Sequence, residues 1–318
     1  MDSFADAQAR IFDLYNEGDF EEALEVATAA QSHFPAERNA LVYYRVCLAA
    51  RTGQPSLAAW ILEEAMSTGI WFGVDKLRAE SDLASLQGDA DFERLVEICA
   101  ERQANAARHA APALMTAAPD GAIPPWPVVM ALHGGSGSAS EALPRWIAAQ
   151  RAGWLVALPQ SSRPSSFARY TWAAAGAGDE ARVASEILTH VETIGGMGVA
   201  DASRLVLGGS SAGGSAALRL AVTGTVAACG VIAVVPALRD ATVFAPHLEG
   251  AAKRDLRVTI IAGGRDTDRS EPIRRLHAML EEAGVDSRLH VDPSVAHDFP
   301  RDFDDLLPDM LAWTAGRD

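Results

Sequence analysis

Cysteine is scarce in these 318 residues: Cys47, Cys99 and Cys229 stand far apart, with no C-x-x-C pair among them. That excludes a disulfide framework and a thiolate metal site, and fits a reducing compartment. No run of about 18 uncharged apolar residues occurs, so no membrane-spanning helix and no membrane partner are expected. The opening Met1-Asp2-Ser3-Phe4-Ala5-Asp6 lacks the basic and apolar regions of a secretion signal, so a cytoplasmic location is expected. Positive charge is short too: 27 Lys and Arg against 42 Asp and Glu leave a net charge of −15. Nucleic acid is excluded as a partner, because phosphate binding needs clustered cations. Lysine is almost missing, with only Lys76 and Lys253, and nothing in the sequence explains that bias.

What remains is ordinary core material, 49% hydrophobic and 22% charged, enough for two domains. The charge is uneven. Residues 1–105 carry 8 basic and 19 acidic side chains, net −11, which leaves only −4 for the rest and points to two units with different surfaces.

The first unit, residues 1–105, is repetitive. Gly18, Gly53 and Gly88 recur every 35 residues, as do Ala30, Ala65 and Ala100, while Ala23 and Ala58 keep phase until Glu93 breaks it. Ile11, Leu14 and Tyr15 share one helical face, Gly18-Asp19 interrupts, and Phe20, Ala23, Leu24, Ala27 and Ala30 make a second face ending at Pro35. Such a hairpin buries its apolar stripe only against stacked neighbours. The pattern resembles the tetratricopeptide repeat, although 35 exceeds the usual period by one, Ile70 replaces the second terminal proline, and the third unit (Trp71 to Leu95) is degenerate and reads as a cap. The resemblance implies a surface for a protein partner or self-association, or one wall of the active site; a packed helical appendage is the alternative.

Residues 106–126, with Pro112, Pro119, Asp120-Gly121 and Pro124-Pro125, turn to loop chemistry and mark a linker, with Ala113–Thr116 as a first short strand. From residue 127 to 318, apolar runs alternate with helical segments, the signature of a doubly wound, mostly parallel α/β sheet. Strands are expected at Val128–Leu132, Trp154–Leu158, Leu205–Leu207, Val231–Val235, Val258–Ala262 and Arg288–Val291. Helices are expected at Ser140–Arg151, Asp179–Ile194, Gly213–Val222, Glu271–Ala283 and Phe303–Ala315.

Four chemical signals fall at strand ends, where such sheets gather their working groups. Gly209-Ser210-Ser211-Ala212-Gly213 follows Leu205–Leu207 and opens a helix. That Gly-x-Ser-x-Gly is weak alone, but a strand-to-helix corner holds its central residue under strain and needs the flanking glycines for close approach. Ser211 is therefore the expected nucleophile, and Ser210 and Ser215 are bystanders. His133-Gly134-Gly135-Ser136 follows Leu132. An oxyanion requires two preorganised N–H donors, assigned to Gly135, with Gly134 as the alternative, and to Ala212. His133 is read as fixing the loop rather than as a base.

A serine hydroxyl also needs a base, and the base a carboxylate. His297 in Ala296-His297-Asp298 and Asp266 in Gly263-Gly264-Arg265-Asp266 complete a Ser…Asp…His order, with Asp268 as the competing acid and Asp298 capping the final helix region. His190, His247, His277 and His290 read as surface or filler residues.

These signals resemble the α/β-hydrolase superfamily over residues 112–318. Trp154–Pro159 with Gln160-Ser161-Ser162, Tyr170-Thr171-Trp172 and Asp201-Ala202-Ser203-Arg204 are similar to its phospholipase/carboxylesterase and prolyl-oligopeptidase-like branch. The resemblance implies hydrolysis of a small-molecule carboxylic ester through an acyl-serine, with no metal or organic cofactor. Trp172, Phe299 and Ser161 are the expected substrate-binding residues. Small or short-chain acyl esters are the expected substrates. The alternatives are an aminopeptidase-like serine peptidase, for which Asp179-Glu180 is a tempting amine-binding pair or merely an acidic first helical turn, and a repeat-based interaction protein with an inactive hydrolase domain.

Overall fold

The computed structural model describes residues 3–174 and 176–316. Met1-Asp2 of the opening segment and Asp318 at the end of the expected catalytic domain lie outside the described residues. The chain divides into two compact units, one running to Ala110 and taking in Pro164–Ala168, the other formed by Ala111–Arg163 and Arg169 onward.

The first unit is all-helical over its main stretch: α1 (Phe4–Glu17), α2 (Phe20–His33), α3 (Arg38–Arg51) and α4 (Pro55–Ser67), each packed on the next. The 35-residue period has a backbone cause. Gly18, Gly53 and Gly88 have φ of 87°, 72° and 86°, left-handed positions that end a turn and that side chains resist. Ala23, Ala27, Ala30, Ala58 and Ala65 are buried where the helices meet. The third repeat departs from the pattern. The short α5 (Val74–Ala79) and a 3-10 turn, Ser81–Leu86, precede the long α6 (Ala90–His109), on which Ala100 is exposed rather than buried. Helix α6 also continues into the stretch expected as linker, because Ala104-Asn105-Ala106-Ala107 favours helix and no proline intervenes before Pro112.

The second unit is built on a seven-stranded sheet. Its strands are β1 (Ala113–Ala117), β2 (Trp126–Leu132), β3 (Leu155–Gln160), β6 (Ala200–Ser210), β7 (Gly230–Val234), β8 (Arg257–Gly263) and β9 (Ser287–Asp292), with the short β4 (Pro164–Ser166) and β5 (Arg169–Tyr170) lying outside that sheet. The spatial order is β1-β3-β2-β6-β7-β8-β9. Only β1 runs antiparallel, pairing Thr116 with Ala157; the others are parallel, aligning Met130 with Leu207 and Leu207 with Val231. Alternate residues serve opposite faces. Val128, Met130 and Leu132 join the core beneath α8 (Ala177–Gly196), α9 (Ala212–Thr223), α10 (Leu248–Lys253) and α11 (Thr267–Glu282). Val129 and Ala131 face Trp146 of α7 (Ala139–Trp146) and Phe303, Leu307 and Leu311 of α12 (Phe303–Thr314).

Every expected strand is present, and β6 is longer than expected because a register shift at Pro127/Val128 lets Trp126 and Pro127 pair with Ala200 and Asp201. Helix α7 stops at Trp146 and continues as a 3-10 turn, Ile147–Ala152. Helix α10 and the 3-10 turn Thr242–His247 carried no periodic signal, being too short to show one. No helix among the described residues is long and apolar enough to cross a membrane.

Candidate active site

Strand order reverses between β2 and β6, and in open parallel sheets the crevice at such a switch point is where ligands bind. The two loops leaving β2 and β6 begin with His133 and Ser211. Ser211 sits at φ 51° and ψ −119°, strained for any residue with a side chain, and stands as the N-cap of α9. Its N–H donates to Val234 O at 2.9 Å, and its carbonyl accepts from Ala237 N at 3.0 Å, which pins the corner from both sides. The corner is also sterically closed. A Cβ on Gly209 would stand 2.6 Å from the Gly213 backbone, and one on Gly213 only 2.3 Å from Leu132 O.

The structure brings Ser211, His297 and Asp266 together. Ser211 Oγ lies 2.8 Å from His297 Nε2, and His297 Nδ1 lies 2.6 Å from Asp266 Oδ2. A carboxylate only accepts, so Nδ1 carries the ring proton and Nε2 is left to accept from the hydroxyl. Asp266 is buried at the end of β8, and its other oxygen accepts from Arg269 Nη1 at 3.1 Å. Asp268, the competing acid, is exposed two residues further on, in the first turn of α11. Asp298 does not cap the last helix: it accepts from Phe299 N and lies 3.9 Å from Arg145, while Asp302 occupies the N-cap position of α12.

The turn after β2 approaches this corner. A Cβ on Gly135 would meet that of Ala212 at 3.5 Å, while one on Gly134 would face Ser210 and Ser211. The N–H groups of Gly135 and Ala212 donate to no acceptor among the described residues. His133 is buried, and burial pushes its pKa down to about 4, so its ring is neutral near pH 7. Its Nδ1 therefore donates to Gly134 O at 2.8 Å, and its Nε2 accepts from Gln160 Nε2 at 3.1 Å and Ser161 N at 3.4 Å. Gln160, which the sequence offered only as part of Gln160-Ser161-Ser162 and with no role, thus helps to hold the turn after β2.

A cavity of about 550 Å³ opens beside Ala212, with Trp172, Val183, Leu238 and Phe244 among its walls and the Glu180–Arg219 ion pair, 3.2 Å apart, at its edge. Trp172 thus lines it. Ser161 and Phe299, also expected at the substrate, are not among its walls. Ser161 is fully buried with its hydroxyl donating to Thr171 O, and Phe299 packs edge-on against Trp146 and Phe303. Apolar or hydroxyl character near a strand end does not distinguish a wall from a filler. Among the described residues His297 Nε2 bonds Ser211 rather than Ser210 or Ser215, and Ser215 Oγ has no partner. Of the histidines expected to be surface or filler, His290 is exposed, His247 and His277 are half-buried, and His190 is buried in α8. Asp179 is engaged by Arg163 at 2.7 Å. Among the described residues, no three His, Cys, Asp or Glu side chains gather as a metal site.

Residues 7–107 match a family model described as "A/B hydrolase-like, N-terminal domain". The whole chain is similar to the crystal structure of an uncharacterized protein from Bacillus cereus ATCC 10987, at 21% identity and a TM-score of 0.56, covering 99% of this chain and 100% of that one. It is also similar to the Bacillus cereus carboxylesterase, at 16% identity and a TM-score of 0.51, covering 67% of this chain and 99% of that one. No curated protein matches the sequence. The fold is that of the α/β hydrolases, preceded by a helical region of about a hundred residues.

Proposed function

We propose that the protein is a serine carboxylesterase that hydrolyses small or short-chain acyl esters through an acyl-serine. The observation that carries this is the 2.8 Å approach of Ser211 Oγ to His297 Nε2 at a corner strained to φ 51°. His297 takes the proton of Ser211 as Oγ bonds to the ester carbon. Asp266 holds the imidazolium, and the carbonyl oxygen, now an oxyanion, accepts from the N–H groups of Gly135 and Ala212. Loss of the alcohol, protonated by His297, leaves the acyl-serine, and water activated by the same imidazole releases the acid. The similar Bacillus cereus protein is a carboxylesterase, which supports this reaction class. The cavity beside Ala212 is of the size that small ligands occupy.

A peptidase acting on free amines needs an unengaged acid. Glu180 is paired with Arg219, Asp179 with Arg163, and Asp240, which also lines the cavity, accepts from Thr242. Comparing p-nitrophenyl acetate with an aminoacyl p-nitroanilide tests the assignment: the ester is turned over far faster, and a preference for the anilide overturns it. Three free thiols, two of them buried, support a reducing, cytoplasmic location. Stacked helical hairpins present extended surfaces, which supports a role for the helical unit in self-association or partner binding.

A further inference from the structure

The connection between Gln160 and Trp172 is a loop whose ends and tip belong to different units. Its ends back the oxyanion turn. Gln160 and Ser161 hold His133 Nε2, Tyr170 exchanges two backbone hydrogen bonds with Gly137 at 2.9 and 3.1 Å, and a Cβ on Gly135 would meet the Thr171 hydroxyl at 3.8 Å. The ends are tied to each other, Ser161 Oγ donating to Thr171 O at 2.8 Å and Thr171 N to Arg163 O at 3.0 Å.

The tip, Pro164–Ala168, is part of the helical unit. Gln103 Nε2 donates to Pro164 O at 3.1 Å, Asn39 Nδ2 to Phe167 O at 3.2 Å, and Phe167 N to Trp71 O at 3.0 Å. Gly73 leaves just enough room for the strand: a Cβ there would stand 2.4 Å from Ser165 O. Its φ of −61° and ψ of 141° are open to any residue, so only this close approach requires glycine.

We propose that the helical unit is a positioning device for the oxyanion hole, with Gln103, Asn39 and Gly73 as positioning residues that act through the 160–172 loop on Gly135. This rests on the esterase assignment above. Two donors aimed at the oxyanion act only if the turn carrying Gly135 is held rigidly, and a small displacement of such a donor is felt in the transition state rather than in substrate binding. The loop reaches that turn through His133, Gly137 and Gly135, so a shift of its tip is passed along the chain to its ends and from them to the turn.

The test uses the full chain. Gly73→Ala wedges the tip by steric overlap, whereas Gln103→Glu keeps the hydrogen bond from Val74 N, 3.2 Å away, and removes only the donor to Pro164 O. Either variant is enough should the other fail to fold. Turnover of p-nitrophenyl acetate is measured per active site titrated with a fluorophosphonate, alongside inhibition by an aryl trifluoromethyl ketone. That ketone adds to Ser211 Oγ, passes the hydroxyl proton to His297, and leaves its own oxygen as an oxyanion in the hole. The expected result is a fall in kcat per titrated site of about tenfold or more with KM within about twofold. The ketone inhibition constant rises in parallel, while Glu25→Ala on the same unit changes nothing. Lower thermal stability with kcat per titrated site and ketone affinity unchanged overturns the proposal, because the contacts are then purely structural. Wild-type protein that turns over no ester overturns the esterase assignment instead, and this inference falls with it.

Discussion

The glycines at 18, 53 and 88 and those at 209 and 213 serve opposite needs. The first three have positive φ and no atom within 4 Å of the place a Cβ would take, so each is required by its own backbone and by nothing around it. Gly209 and Gly213 lie outside that positive-φ set, yet neighbouring backbone fills the place of their Cβ. Repeat turns are thus set locally, and the corner at Ser211 is set by the convergence of β2, β6 and α9. A change at a repeat turn is felt as stability alone, whereas a change at the corner is felt as rate.

The largest test of that division is Asp266→Asn. The carboxylate holds the His297 tautomer, so kcat falls by about 10⁴-fold while unfolding by urea shifts little, measured on titrated enzyme. Gly213→Ala comes next. Its Cβ collides with Leu132 O, displaces the first turn of α9 with the Ala212 N–H, and lowers kcat by about 10²-fold or more; near-normal turnover would erase the distinction between the two glycine classes. His133 sharpens the comparison through pH. Its ring is held neutral down to about pH 4, whereas the unfolded chain binds a proton there from about pH 6.5. Stability is therefore full above pH 6.5 and falls by about 3 kcal/mol as pH drops through that window, a slope that His133→Asn removes in urea titrations. The smallest effect is Gly53→Ala. Forcing a side chain to φ 72° costs about 1 kcal/mol and lowers the unfolding temperature by a few degrees, with kcat unchanged.

Legibility in the sequence follows the same line. The repeat period was readable because each left-handed turn advertises itself by glycine, and the sheet was readable because buried parallel strands are continuous apolar runs. Ser211, Asp266 and His297 stood out because they follow those runs in a fixed order. The walls did not. Ser161, Phe299 and Trp172 all follow strands in sequence, and only the path of each connection puts Trp172 against the cavity while Ser161 is buried and Phe299 packs on Phe303. Gln160 reaches His133 across 27 residues and Gln103 reaches Pro164 O across 61, separations at which no periodicity informs. Likewise, α10 is six residues long, less than two turns.

The central claim is that one hydroxyl, at position 211, is activated by one imidazole. Labelling the native protein with a fluorophosphonate and mapping the adduct tests it most directly. The account predicts a single adduct on Ser211 that is abolished by Ser211→Ala and strongly slowed by changing His297. Native protein that does not label, or a Ser211→Ala variant that labels as well as the native chain, contradicts it.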